Sequence, residues 1–201
     1  MNRPWCGIFI GGAARRMGGF PKGRLPVAGS GQPIVLHLAA LAQSLDLPVV
    51  LVGEHAAYHD LALPFVPDQP AGIGPLGGLA ALLTAASGSE VIALACDMPF
   101  VSAQILTRLL AVDLQQADVV AAQTSPEAPL ESFLARYRPT VLAPLTQAIA
   151  HGERSLQRLL RSLRVVALPL SEAEQAVRKD WDSWEEVPES LRPPGWNQLK
   201  L

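Results

Sequence analysis

The segment WCGIFIGGAARRMGGFPKGRLP, residues 5–26, joins a short apolar run to a glycine-rich loop that carries three arginines and one lysine. The run WCGIFI has the length and composition of a buried strand. Pro21 and Pro26 interrupt the loop, so no long helix starts within it. In open α/β sheets ligands bind outside the carboxyl ends of the strands. The segment therefore indicates an α/β sheet and marks its first loop as a candidate ligand site.

The alternation of strand-type and helix-type segments supports this interpretation. Buried strand-type runs are separated by apolar residues at helical spacing through residue 123, and the pattern then loosens. We expect a single three-layer α/β/α domain with a Rossmann-like, mostly parallel sheet over residues 1–192, and a C-terminal tail over 193–201. The strands are predicted at 5–10, 47–53, 63–68, 91–97, 117–123, in the piece 129–137 and near Val165, and the helices at 32–45, 76–86, 102–111 and on both sides of 151–153.

Composition and charge narrow the function classes. The chain has 201 residues, of which 49% are hydrophobic and 17% charged, and its net charge is −2. Such a chain has no general attraction for nucleic acid, and no apolar run approaches the roughly 20 residues of a membrane span. We therefore expect a cytoplasmic protein without a nucleic-acid or membrane partner. Cys6 and Cys96 are expected to be buried thiols. His55 and His59 have helical i, i+4 spacing, but no glutamate lies between them and no third ligand is apparent, so a zinc site is not expected.

The residues that follow the strands carry the candidate chemistry. Glycines let backbone N–H groups approach phosphate oxygens, an arginine can hold such oxygens with two hydrogen bonds, and a lysine adds a point charge. The loop matches neither GxxxxGK[ST] nor GxGxxG, and by itself it also fits an ordinary surface loop. The candidates for phosphate binding in this loop are Gly11, Gly12, Arg16, Gly18 and Lys22.

Asp97 ends an apolar strand and is followed by Met98 and Pro99. A carboxylate in that position can hold Mg²⁺ against phosphate groups in the same crevice. Taken alone, it fits a turn or helix-capping aspartate equally well. Together with the cationic loop it suits a nucleoside triphosphate with a divalent metal.

Three segments in this order resemble the signatures of the MobA-like nucleotidyltransferases, in particular the molybdenum cofactor guanylyltransferases. They are FIGGAARRMGGFPKGRLPV (9–27), GPLGGLAALL (74–83) and ACDMPFV (95–101). Weaker similarity continues through residues 129–137, 151–160 and 180–187. The resemblance implies a fold of the nucleotide-diphospho-sugar transferase type and a Mg²⁺-dependent transfer from GTP to molybdopterin cofactor, with pyrophosphate as the second product. It also implies a molybdoenzyme or its chaperone as the partner that receives the product.

The resemblance assigns roles to individual residues. The loop of Gly11, Gly12, Arg16 and Gly18 would wrap the triphosphate, Lys22 would neutralise it, and Asp97 would hold Mg²⁺. Arg16, Lys22 and Asp97 form the implied catalytic set. The positions that would line the nucleoside are Asp68, Gly77 and Gly78, and those beside the acceptor or metal are Asp180 and Asp182.

The chain departs from the family pattern at several positions. Pro21 replaces an acidic residue before the lysine, and Ser183, Trp184 and Glu185 replace a TPE segment. Residues 53–55 stand where guanylyltransferases often carry an asparagine near the base. Two alternatives follow, namely a cytidylyltransferase that uses CTP on the same cofactor, and a non-catalytic member that binds nucleotide or cofactor.

Overall fold

The computed structural model describes residues 3–11, 15–178, 181 and 183–199. These residues form a sheet of seven strands flanked by five α-helices, with short 3-10 turns between them. The strands are β1 (Trp5–Phe9), β2 (Val49–Val52), β3 (Phe65–Val66), β4 (Val91–Ala95), β5 (Val119–Gln123), β6 (Glu131–Tyr137) and β7 (Val165–Pro169), and the helices are α1 (Ile34–Ser44), α2 (Pro75–Ala85), α3 (Ala103–Ala111), α4 (Leu142–Ala150) and α5 (Leu156–Arg161).

The strand order in the sheet is β3-β2-β1-β4-β6-β5-β7. Strands β1, β2, β3 and β4 pair in parallel, as do β5 and β7, whereas β6 runs antiparallel to both β4 and β5. The order reverses between β1 and β4, since the chain proceeds outward from β1 to β3 and then returns to the other side of β1. Such a reversal opens a crevice at the carboxyl ends of the two strands.

Helices cover both faces of the sheet. On one face, α1, α3 and the C-terminal segment pack against alternate side chains of β1, such as Cys6 and Ile8. On the other face, α2, α4 and α5 pack against the opposite side chains, including Phe9. This arrangement confirms the predicted three-layer α/β/α fold with a mostly parallel sheet.

The predicted elements are present with small shifts at their ends. The helix expected from Gln32 begins at Ile34, because Pro33 is extended with φ −52° and ψ 139° and precedes the helix as its N-cap. Within residues 129–137 the strand β6 covers Glu131–Tyr137, and the two helices around 151–153 are α4 and α5. The predicted buried thiols are confirmed, since Cys6 and Cys96 are both free and buried. No helix among the described residues is long and apolar enough to cross a membrane.

The C-terminal segment packs on the domain through tryptophans. Trp181 and Trp184 are buried in the same core as α1 and α3. The Trp184 ring lies 5.2 Å from the ring of Phe20 and 5.9 Å from that of Trp196. The segment after residue 181 is thereby joined to the loop that follows β1. The boundary at residue 192 stays a prediction, although Trp196 also lies under the Arg192 guanidinium at 4.5 Å.

Gly7 allows α2 to approach the centre of the sheet. It lies in β1 between Val50 and Ala93, and a Cβ atom built on it would be 2.4 Å from Leu82 Cδ2 and 2.9 Å from Val52 Cγ2. Contacts this short do not occur in packed interiors, so the helix and the strand fit together only because this position lacks a side chain.

We predict that Gly7→Ala lowers the free energy of unfolding by about 1–3 kcal/mol, the usual cost of an extra methyl group in a filled core. Urea denaturation followed by circular dichroism measures it. Gly11→Ala is the matched control, because a Cβ at Gly11 meets nothing within 4 Å. Both variants lose the same backbone freedom in the unfolded chain, so equal stabilities would contradict the packing explanation.

Candidate active site

A cavity of about 440 Å³ lies at the point where the strand order reverses. The last residues of β1 and β4 are register partners there, Phe9 with Ala95, and the Cys96 N–H donates to the Phe9 carbonyl at 3.1 Å. The loops after both strands therefore leave the sheet at one level. The cavity is lined by Phe9, Ile10, Gly11, Phe20, Pro21, Lys22, His55, Tyr58, Ala95, Cys96, Asp97, Met98, Pro129, Glu131, Ser132, Phe133 and Val177.

Lys22 and Asp97 meet inside this cavity. The Lys22 Nζ atom lies 3.1 Å from Asp97 Oδ2, and the two side chains are only 16% and 19% exposed. Lys22 begins a one-turn 3-10 helix over Lys22–Arg24, and Asp97 lies two residues after the end of β4. The sequence predicted both residues as site residues, and the structure brings them together although 75 positions separate them.

Tyr58 and Cys96 form the wall behind this pair. The Gly23 N–H donates to the Tyr58 hydroxyl at 3.0 Å. Burial raises the pKa of the Cys96 thiol to about 12, and the neighbouring Asp97 charge adds to the effect. Burial also raises the pKa of Tyr58 far above its ordinary value. Both groups are therefore neutral at physiological pH, which makes Cys96 a packing residue rather than a nucleophile.

A second group of predicted residues lies around Asp68. A Cβ built on Gly78 would lie 3.0 Å from Asp68 Oδ1, and one built on Gly53 would lie 3.7 Å from that oxygen and 3.5 Å from the Gly11 nitrogen. Gly53 has φ +97°, a conformation that favours glycine. Gly53 thus lies next to both the Asp68 carboxylate and the Gly11 backbone, and burial raises the pKa of Asp68.

The other predicted residues are placed as follows. Gly11 is exposed and lines the cavity, whereas the exposed Arg16 and Gly18 lie outside its lining. A Cβ at Gly77 would be 2.4 Å from the Pro70 carbonyl oxygen, so Gly77 packs closely on the loop that precedes α2. Its role in nucleotide binding stays a prediction. Three predicted residues lie outside the part of the chain that the structure describes, namely Gly12, Asp180 and Asp182.

Sequence reasoning missed half of the cavity wall. Glu131, Ser132 and Phe133 reach it because β6 is antiparallel to β4, with Leu134 opposite Leu94, so that the start of β6 lies beside the end of β4. The rule that sites follow the ends of parallel strands passes over the first residues of an antiparallel strand. Tyr58 was also missed as a lining residue, although it follows β2 at the same edge of the sheet, whereas His55 belongs to the segment expected near the base.

The described side chains of the cavity supply only some of the ligands that a bound metal ion needs. Among the described residues, no three His, Cys, Asp or Glu side chains cluster as metal ligands. Asp97 offers hard carboxylate oxygens to the cavity, and magnesium sites are often built from one or two carboxylates together with phosphate oxygens of the substrate. The residues present therefore fit a divalent cation that arrives with a phosphorylated ligand.

The chain is similar in sequence to known proteins. Residues 6–167 match the model of the MobA-like NTP transferase domain. The chain is 37% identical over 179 residues to a molybdenum cofactor guanylyltransferase of Pseudomonas putida, covering 86% of this chain and 91% of that relative. It is 34% identical over 162 residues to a probable molybdenum cofactor guanylyltransferase of Chloroflexus aggregans, covering 80% and 78%.

A solved structure is similar in fold. The molybdopterin-guanine dinucleotide biosynthesis protein A of Archaeoglobus fulgidus superimposes with a TM-score of 0.71 at 20% identity, covering 97% of this chain and 96% of that chain. The similarity confirms the predicted fold class, an α/β domain with a mostly parallel sheet.

The raised pKa of Asp68 predicts a pH-dependent stability difference. The pKa of Asp68 is higher in the native protein than in the unfolded chain, where its reference value is 3.8. Burial of Asp68 therefore lowers the free energy of unfolding at pH values above the native pKa, where the side chain is charged. This cost disappears below pH 3.8, where the side chain is protonated in both states. We expect Asp68→Asn to melt above the wild type at pH 7 and to lose that advantage near pH 3.5. Calorimetric scans across this range measure the effect, and an advantage that grows toward acid pH would contradict it.

Proposed function

The chain belongs to the MobA-like NTP transferase family, and on that premise we propose that it transfers the guanylyl group of GTP to molybdopterin cofactor. The products are the guanine dinucleotide form of the cofactor and pyrophosphate. Membership makes the protein a nucleotidyltransferase. The observation that carries the proposal is the pairing of Lys22 with Asp97 at 3.1 Å inside the cavity between β1 and β4.

The reaction forms one bond and breaks one. An oxygen of the acceptor phosphate attacks the α-phosphorus of GTP, and the bond from that phosphorus to the bridging oxygen breaks, so that pyrophosphate leaves with the electron pair. The acceptor phosphate is ionised at neutral pH, and a general base is not needed to generate the nucleophile. This chemistry suits a cavity in which burial keeps Cys96 and Tyr58 neutral.

The protein promotes this reaction by positioning the two substrates and by neutralising the charge on their phosphates. Lys22 and Arg16 would meet the charge that develops on the leaving pyrophosphate, and the Gly11, Gly12 and Gly18 loop would bring backbone N–H groups to the phosphates. Asp68, beside Gly78 and Gly53, would face the nucleoside end. Gly77, Asp180 and Asp182 complete the proposed set, with the two aspartates assigned to the acceptor or metal.

Proteins of this family use a divalent metal ion, and we assign it as Mg²⁺. Asp97 would hold it together with phosphate oxygens of the nucleotide. Bound there, the cation would supply charge neutralisation at the phosphates. The Lys22 ammonium lies against the same carboxylate, so that lysine and metal would share one anionic partner.

Two alternatives remain tied to particular residues. His55 lines the cavity in the region where guanylyltransferases often carry an asparagine, so the first alternative is a cytidylyltransferase with CTP as the nucleotide donor. Pro21 and Trp184 replace family residues, so the second alternative is a non-catalytic protein that binds nucleotide or cofactor. The named relatives favour GTP. A molybdoenzyme or its chaperone is the proposed recipient of the product.

We predict that Asp97→Asn lowers kcat of pyrophosphate release by roughly 100- to 1000-fold, the scale of losing one preorganised electrostatic contact. The assay mixes GTP, Mg²⁺ and molybdopterin cofactor with each protein. Asp46→Asn is the matched control, because exposed Asp46 precedes β2 and so lies at the opposite edge of the sheet. Asparagine also tolerates its φ of 59°.

The same proteins decide between the alternatives. Calorimetric titration with GTP, CTP and ATP, with and without Mg²⁺, should show metal-dependent preference for GTP in the wild type and in Asp46→Asn. Preference for CTP would transfer the assignment to cytidylyl transfer. If the wild type binds nucleotide but releases no pyrophosphate, the protein is assigned as a non-catalytic binding protein. Unchanged turnover in Asp97→Asn would refute the role of this carboxylate.

A further inference from the structure

The side chain of Tyr58 lies behind the catalytic pair, next to a neighbour of each of its two members. Lys22 precedes Gly23, and Cys96 precedes Asp97. The Tyr58 hydroxyl accepts a hydrogen bond from the Gly23 N–H at 3.0 Å, and a Cβ atom built on Gly23 would meet both this hydroxyl and the Cys96 side chain. The Tyr58 hydroxyl thus lies where the residue after the lysine meets the residue before the carboxylate.

The space around that oxygen is closely filled. Tyr58 is only 1% exposed. A Cβ atom on Gly23 would lie 2.9 Å from the Tyr58 hydroxyl oxygen and 3.0 Å from Cys96 Cβ. The Gly23 backbone therefore contacts both side chains directly, and the position of the Lys22–Arg24 turn relative to β4 depends on the phenol between them.

Arg24 anchors the other end of the same turn to the segment that carries Tyr58. Its Nε atom donates to the Ala57 carbonyl at 2.7 Å, and its guanidinium forms an ion pair with Asp60. The guanidinium carbon also lies 5.6 Å from the centre of the Tyr58 ring. The turn is thus fixed to residues 57–60 at Gly23 and at Arg24, while the Lys22 side chain meets Asp97.

The segment that carries Tyr58 begins next to His55, which lines the cavity. The 3-10 turn Ala56–Tyr58 begins after His55, whose Nδ1 accepts the Ala57 N–H at 3.1 Å. The His55 and Tyr58 rings lie 5.5 Å apart, edge to face, and both line the cavity. The residues beside the nucleotide pocket and the turn that presents the lysine therefore form one packed unit.

We propose that Tyr58 is a positioning residue for nucleotidyl transfer, and that its hydroxyl sets the placement of the Lys22 ammonium against Asp97 and the substrate phosphates. The inference rests on the proposed function for its catalytic readout. Because the hydroxyl acts through Lys22, removing it should matter only while the lysine is present. A purely structural tyrosine would instead lower activity equally with and without Lys22.

The experiment is a double-mutant cycle with Tyr58→Phe, Lys22→Ala and the double variant, assayed by pyrophosphate release. In the wild-type background Tyr58→Phe should lower kcat/KM about tenfold or more, since misplacement of a catalytic group by ~1 Å costs on the order of 100-fold. In the Lys22→Ala background it should change kcat/KM by less than about twofold. Equal losses in both backgrounds, or no loss in either, would overturn the inference.

A matched control separates positioning from stability. Ile105→Val in α3 removes one heavy atom from a side chain that is also 1% exposed, as Tyr58→Phe does, and it lies outside the cavity lining. It should leave kcat/KM within about twofold of wild type. Amide exchange at Gly23, followed by NMR, should accelerate in Tyr58→Phe and stay unchanged in Ile105→Val. Unchanged exchange in Tyr58→Phe would also overturn the inference.

The cycle remains informative if the proposed function fails. Should the wild type release no pyrophosphate from GTP or CTP, the same four proteins are compared by the dissociation constant of the Mg²⁺ nucleotide that binds. A Tyr58→Phe effect that disappears in the Lys22→Ala background would then support the positioning role without catalysis. Additive effects, or no binding of any nucleotide, would overturn it.

Discussion

The parallel pairing of β1 with β4 is the constraint on which the site depends. Their register places Phe9 opposite Ala95, and the hydrogen bond from Cys96 to Phe9 extends the pairing to the end of both strands. The glycine-rich loop and the loop that carries Asp97 must then emerge side by side. The chain has travelled through β2, β3 and α2 before it forms β4, so this pairing converts two distant segments into one crevice.

The charges that this crevice brings together are costly to maintain. Lys22 and Asp97 are both largely buried, and desolvation of an ion pair can exceed its Coulombic gain. Burial likewise raises the pKa of Asp68, which means that its charged form is held at a cost. A phosphorylated ligand and its cation change this balance, because they give both members of the Lys22–Asp97 pair new partners of opposite charge. Charges held against a desolvation cost are expected of a binding site for charged groups.

Much of this could be predicted from the sequence. Strand-type runs and helical periodicity located the elements, because a sheet covered on both faces needs continuous apolar strands. Lys22 and Asp97 were found because the ends of parallel strands meet at one edge. The antiparallel direction of β6 could not be predicted, since a buried strand has the same composition in either direction. With it, the contribution of Glu131, Ser132 and Phe133 was missed. Tyr58 was also missed, because its role depends on a hydrogen bond to the backbone of Gly23, which no side-chain pattern records.

Two of the departures from the family pattern lie near each other in the fold. Pro21 stands where an acidic residue precedes the lysine in the family, and Trp184 stands in the altered TPE segment. Phe20, the neighbour of Pro21, has its ring 5.2 Å from that of Trp184, which is fully buried. Aromatic packing from Trp184 therefore supports the loop before Lys22 in this chain. With both departures present, the lysine and Asp97 still meet at 3.1 Å, so the catalytic pair is assembled.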